Sequence, residues 1–330
     1  MPFSRGLRLS HLIGLFVVTA AMLVMISKAG AQTYIKIGII SPTFGHAPFY
    51  VARDKGFFRN EGLVGEVIVM NRDDLILQSL VSDSIQFGNI SPSALLPARD
   101  QGLTNVKMIA GSFNGTTYSI IAQSKFKTLE QLKGAKLAVS SLQAGSTQVL
   151  KYILKQRGLL YPRDYALLRA GGTTLRWAAI QTQQVDATIL AEPVSIIAQE
   201  KGLTNLGDAY KLVPGYQLAG VWIKEEWAKK NRDLTLRFVR AFHNALTWLH
   251  DNWSEALEVL PKITTLQKQY VQTSWETYTK AQIWPRDGKV NIRGLQLVID
   301  LMAEEGQLNK PYPKPEDLID HSYLQEVTGR

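Results

Sequence analysis

The chain has 330 residues, enough for two ordinary domains or one large one, and its 45% hydrophobic and 20% charged content suits a packed globular core. The formal charge is +9, of which Arg5, Arg8 and Lys28 carry three in an acid-free N-terminal stretch; the remaining +6 is spread without a dense basic block, which argues for a solvated surface and against a nucleic-acid site. Cysteine is absent, which excludes disulfides, thiolate zinc sites, cysteine nucleophiles and a lipid-modified N-terminal cysteine.

Arg5 and Arg8 precede an apolar run, Leu12–Ile26, and then Ala29-Gly30-Ala31. A basic start, a short apolar core and small residues at the end form the pattern of a secretory signal peptide. The run is shorter than the roughly 20 residues a membrane span needs. Cleavage is expected after Ala31. The released protein is expected to be soluble and to reside in the periplasm.

From Tyr34 onward, strand-like and helix-like stretches alternate, which predicts an α/β fold. Tyr34–Ile40 reads as a strand, Ser41–Gly45 as a loop, and the stretch after it as a helix with Pro48 in its first turn and Gly56 at its end. Glu66–Met70 is a strand, Asp73–Val81 a helix, and Ile85–Gly88 a short strand. Ser91 stands as N-cap before Pro92 of the next helix, and strand Val106–Gly111 follows. Tyr118–Gln123 is extended, and Thr128-Leu129-Glu130-Gln131 has capping-box spacing. A second set of units then runs through strand Ala135–Ser140, helix Ser146–Arg157, strand Tyr165–Leu168, helix Thr174–Gln183, strand Ala187–Leu190 and a helix to Glu200. Gln217–Ile223 is a further extended run, expected to cross back to the first set. The rest reads as helical, led by Asp233–His250 with Leu234, Phe238, Phe242, Ala245 and Leu249 on one face.

Several segments carry a family likeness. Pro48–Leu63 (PFYVARDKGFFRNEGL), Leu132–Val139 (LKGAKLAV) with Gly145-Ser146, Gly158-Leu159 with Pro162 and Asp164, and Gln184-Val185-Asp186-Ala187 followed by Glu192-Pro193 occur in the order seen in one family. They resemble periplasmic binding proteins of the nitrate/sulfonate/taurine type, whose relatives include binders of thiamine's pyrimidine precursor. The usual glycine before the VDA segment is replaced here by Gln183 or Gln184. The resemblance implies a two-domain periplasmic binding protein fold of type II, with two crossover strands and a ligand cleft between the domains. Residues 32–115 and 222–330 would form domain 1, and 116–221 domain 2. It also implies a monomer that delivers a small molecule to the membrane permease of an ABC importer, with no cofactor and no catalysis.

In open α/β sheets, ligands bind beyond the carboxyl ends of the strands. The candidate cleft residues are therefore Thr43, Phe44, His46, Ser91, Ser93, Phe113 and Asn114 on one domain, and Ser141, Ser146, Thr147, Thr173 and Glu192 on the other. Small hydroxyls, backbone donors and a few rings suit a small polar ligand. Each residue has a structural alternative. Ser91 and Ser146 serve equally as helix caps, Phe44 and Phe113 as core or hinge packing, and His46 as a cap. Glu192 serves equally as a first-turn carboxylate or as an acceptor for an amino group on the ligand. These loops hold no lysine or arginine; Arg176, on the helix after Gly172, could reach in but is expected to face solvent, so an anion would rest mainly on backbone donors at helix N-termini. The two cues leave the ligand open between an anion and a nitrogen-bearing molecule. A ligand-presenting sensor and a pyrimidine-forming enzyme are the competing readings. The enzyme relatives carry a cysteine-rich motif that this chain lacks, and the five histidines show no HExxH spacing.

Overall fold

The computed structural model describes residues 32–329. The expected signal peptide lies outside them. Among the described residues, no helix is long and apolar enough to cross a membrane.

Among the described residues, ten strands form two five-stranded sheets, one in each of two lobes. The chain begins the first lobe with β1 (Thr33–Ile39), a single 3-10 turn (Phe44–His46), α1 (Ala47–Asp54), α2 (Phe57–Asn60) and β2 (Leu63–Val69). Gly56 separates the two helices at φ +82°, a left-handed conformation that only glycine adopts cheaply. Next come α3 (Asp73–Val81), β3 (Phe87–Ile90), α4 (Pro92–Asp100) and β4 (Val106–Phe113). The second lobe holds β5 (Tyr118–Ala122), β6 (Lys136–Val139), α5 (Gly145–Lys155), β7 (Ala166–Arg169), α6 (Thr173–Gln181), β8 (Ala187–Ala191), α7 (Val194–Glu200), β9 (Thr204–Asp208) and α8 (Ala209–Leu212). The chain then returns through β10 (Ala219–Lys224) and adds α9 (Glu225–Lys230), α10 (Arg232–Asp251), α11 (Trp253–Thr264), α12 (Lys268–Lys280), α13 (Ile292–Glu304) and α14 (Ser322–Thr328).

The strand orders are β2-β1-β3-β10-β4 and β7-β6-β8-β5-β9. In the first sheet β1 and β3 are parallel, while β10 is antiparallel to both β3 and β4. In the second, β6 is parallel to β7 and β8, while β5 is antiparallel to β8 and β9. The two antiparallel strands are the ones that enter a lobe from the other. β4 ends at the cleft, so β5 must start there and run away from it, against its neighbours. β10 does the same on return. It pairs with the first sheet from Ala219, so the expected domain switch at residue 222 falls inside this strand.

Along α10, Phe238, Phe242, Ala245, Leu246 and Leu249 are buried at spacings of three and four. Phe238 stacks on Phe87 with ring centroids 3.6 Å apart, and Phe58 and Phe242 lie beside it at 5.8 and 6.1 Å. This ties α10 to α2 and to β3. β9 is the strand that the sequence reading passed over. Its residues (TNLGD) are mostly polar and half-buried throughout, as an edge strand permits, and show no alternation. Truncating Phe238 to Ala should cost about 3–5 kcal/mol of stability, the usual range for emptying a buried phenylalanine site. Urea unfolding followed by circular dichroism measures this; a loss below about 1 kcal/mol would show that the stack does not anchor α10.

Candidate functional site

The loops at the carboxyl ends of the strands meet in a cavity of about 40 Å³ between the lobes. On the scale where one water needs about 10–15 Å³, that is room for roughly three waters. Residues of the first lobe reach it from the ends of β1 and β3, from Phe113 and from the first residue of α3; the second lobe supplies Tyr118 and the N-terminal turns of α5 and α6.

Three buried polar groups dominate the first-lobe wall. His46 lines the cavity, with Thr43 Oγ1 3.0 Å from its Nδ1 and the Phe113 ring edge-on at 5.2 Å. Burial lowers its pKa to about 4, so the imidazole is neutral at neutral pH. Asp73 is fully buried at the start of α3. Its Oδ1 accepts from both the backbone N–H and the hydroxyl of Ser91, each at 3.0 Å, and burial raises its pKa to about 6. Asn89 completes the wall, its amide directed to Ser112 Oγ and to the Gly220 carbonyl.

The second-lobe wall is organised by Arg176, which is only 2% exposed. Its guanidinium donates to the carbonyls of Ile189 (3.0 Å) and Gly171 (3.2 Å) and to Thr173 Oγ1 (3.1 Å), and it sits 5.9 Å from the Tyr118 ring centroid. Tyr118 stands beside both Arg176 and Ser146. Burial pushes the guanidinium pKa down, yet arginine stays protonated in proteins. The expectation that Arg176 faces solvent is overturned. It lies one turn into α6, and the glycine-rich approach to that helix lets its side chain fold back under the loop.

The lobes touch around this cavity. The Gly145 N–H donates to Ser91 Oγ (3.0 Å), and Ser93 Oγ donates to the Gln143 carbonyl (2.8 Å). Lys151 pairs with Glu305 at 2.8 Å on one flank. Two glycines permit this approach. A Cβ on Gly172 would stand 2.6 Å from Ser41 Cβ, and one on Gly145 would stand 2.9 Å from Ser91 Cβ.

The candidate residues thus divide. Thr43, His46, Ser91, Phe113, Ser146 and Thr173 line the cavity. Ser91 occupies the N-cap position of α4, but its hydroxyl makes no capping bond and instead bridges Asp73 and Gly145. Ser93 joins the lobes outside the cavity. Phe44 packs into the core against Trp284 and Tyr278, with centroids at 5.2 and 5.5 Å. Asn114 braces the crossover by donating to the Lys289 carbonyl at 2.7 Å. Ser141 and Thr147 hold the β6–α5 loop, where Thr147 Oγ1 donates to the Ser141 carbonyl (2.7 Å). Glu192 lies in a separate groove with Thr116, Tyr210 and Thr277. Burial raises its pKa to about 7. Sequence reasoning missed Asp73, Asn89, Tyr118 and Tyr278 as cavity residues. A cue existed for Arg176, which follows Thr173 by three residues and so shares its helix face; Asp73 reads in one dimension as an ordinary first-turn acid.

Gly172→Ala should leave both lobes folded but prop them apart. Small-angle scattering should show a larger radius of gyration, and an unchanged radius would show that the contact yields instead. For His46 the linkage has a definite sign. Its folded pKa (about 4) lies below the unfolded value of 6.5, so between these pH values the unfolded chain binds the proton and stability falls as pH drops. His46→Gln removes this component. The gap in unfolding free energy should move in the variant's favour by on the order of 3 kcal/mol from pH 7 to pH 4. A gap independent of pH would place the imidazole in contact with solvent.

Comparison with known proteins places this geometry. A family model described as NMT1/THI5 like matches residues 43–256. The periplasmic nitrate-binding protein NrtA from Synechocystis PCC 6803 superposes with a TM-score of 0.73 at 15% identity, covering 90% of this chain and 88% of that one. A ligand-binding component of an ABC-type import system from Staphylococcus aureus gives a TM-score of 0.71 at 16% identity, over 90% and 99% of the two chains. In sequence, the 4-amino-5-hydroxymethyl-2-methylpyrimidine phosphate synthase THI12 of Saccharomyces cerevisiae (strain ATCC 204508 / S288c) is 23% identical over 316 residues, covering 87% of this chain and 90% of that protein. The two-sheet, two-crossover architecture is the periplasmic binding protein fold, and the chain belongs to the NMT1/THI5-like family.

Proposed function

We propose that this protein is a periplasmic solute-binding protein that captures a small acid-bearing solute between its lobes and delivers it to an ABC-type importer. The observation that carries this reading is Arg176, a buried cation on the cavity wall whose hydrogen-bond acceptors are two carbonyls and the Thr173 hydroxyl. None of these is a carboxylate. A buried guanidinium whose nearest opposite charge, Asp73, acts on it only across the cavity is costly to keep, and an anion seated against it supplies a direct counter-charge. The small cavity favours a ligand of few heavy atoms. The neighbours described as a nitrate-binding protein and as an ABC import component support the transport role. The synthase relative supports an enzyme instead. The base candidates in this cleft are His46, whose depressed pKa makes it a weak base at neutral pH, and Asp73, whose raised pKa suits the role.

Calorimetry and thermal shift with nitrate, acetate, propionate, ethanesulfonate and taurine test the reading. At 100-fold excess over its dissociation constant a ligand stabilises the folded state by about 2.7 kcal/mol, several degrees in melting temperature. Arg176→Gln should fold, as judged by circular dichroism, and should weaken binding of the preferred acid at least about tenfold, the least expected for a charge-assisted hydrogen bond. Unchanged affinity in Arg176→Gln would remove the anion anchor.

A further inference from the structure

The cavity holds a second buried charge that the anion reading leaves unused. Asp73 Oδ1 is saturated by Ser91, but Asp73 Oδ2 is buried without a hydrogen-bond partner. The adjacent arginine offers no relief, because the Arg72 guanidinium is engaged by Asp74. The Asp73 side chain lines the same cavity as Arg176 but comes from the opposite lobe. Each of the two opposed walls thus presents one buried charged group, an aspartate with a free oxygen on the first lobe and an arginine bonded only to neutral acceptors on the second, and the two act on each other across the cavity.

We infer that the cleft is built for a zwitterion, a small molecule whose acidic group meets Arg176 and whose ammonium group donates to Asp73 Oδ2. This deepens the reading given above and rests on it. A carboxylate oxygen accepts and cannot donate, so only a hydrogen-bond donor satisfies it, and an ammonium group adds the opposite charge. The burial that raises the Asp73 pKa to about 6 still leaves the carboxyl largely ionised at neutral pH. The same residue also couples binding to closure. Asp73 Oδ1 fixes Ser91, and Ser91 Oγ accepts the Gly145 N–H of the other lobe. A ligand that neutralises Asp73 therefore sits at the base of the bond that joins the lobes. Glu192, the acid first considered for an amino group, lies in a different groove and is not needed for this role.

Matched pairs of acids test the inference: glycine with acetate, β-alanine with propionate, and taurine with ethanesulfonate. Dissociation constants are measured by calorimetry at pH 7.5 on the wild type, Asp73→Asn and Arg176→Gln. Asn keeps an oxygen to accept from Ser91 and replaces the free oxygen with an amide donor. In the wild type, the amino member of at least one pair should bind about 10–100-fold tighter than its partner, the range expected for a hydrogen bond between charged groups. In Asp73→Asn that preference should vanish through loss of affinity for the amino member, while the amine-free partner binds at least as tightly as to the wild type, because a negative charge has left the cavity. Equal binding of both members by the wild type, equal weakening of both by Asp73→Asn, or no binding in any pair would each overturn the zwitterion assignment. Amine-free acids that bind well and need Arg176 would leave the anion reading standing without this one. An amino-acid preference that survives in Arg176→Gln would sustain the role of Asp73 and count against the anion anchor.

Discussion

The direction of two strands governs this molecule. β5 and β10 each begin at the cleft and run away from it, because the strand before each crossing ends on the cleft side. That single constraint makes both strands antiparallel to their neighbours. It also keeps the carboxyl ends of the parallel strands of both sheets on the same side, facing each other. Loops distant in sequence, such as those carrying Ser91 and Gly145, thereby become two walls of one cavity. The crossovers are braced where they pass, by Asn114 on the Lys289 carbonyl and by Gln217 on the Phe113 carbonyl.

Closure of these walls relies on short contacts that most residue types would forbid. Gly145 and Gly172 stand at the starts of α5 and α6, with ordinary backbone angles at Gly172, so neither is explained by a strained turn. Their value lies in the missing side chain, which lets helix N-termini approach Ser91 and Ser41 of the other lobe. The hydroxyls of Ser91 and Ser93 then span the gap to the second lobe. Serine at these places connects the lobes; capping of α4 is left to its backbone geometry.

Inside the closed cavity, desolvation sets the electrostatics. It depresses the His46 pKa, raises that of Asp73 and lowers that of Arg176. All three shifts have one cause, the removal of water, and all oppose charge. A fold that keeps an aspartate and an arginine under these conditions, facing each other across a cavity and not in a direct ion pair, maintains a polar site at a cost to its own stability.

Much of the architecture was legible in one dimension. The helix at Asp73–Val81 was read to the residue, α10 followed from its apolar spacing, and the crossing near Gln217–Ile223 from an isolated extended run. β9 was not legible, because a polar edge strand carries no periodic burial. For the cavity, the loops after strands were identifiable by topology, and Thr43, His46, Ser91 and Thr173 came with them. The roles within those loops were decided only in three dimensions. Whether Arg176 faces water or folds inward, and whether Asp73 is a surface first-turn acid or a buried one, depends on what the opposite lobe places above it. Period and composition report which face of an element is apolar. They do not report which polar side chains another lobe will seal from solvent, and that sealing turned Asp73 and Arg176 from ordinary helix residues into the charged walls of the cleft.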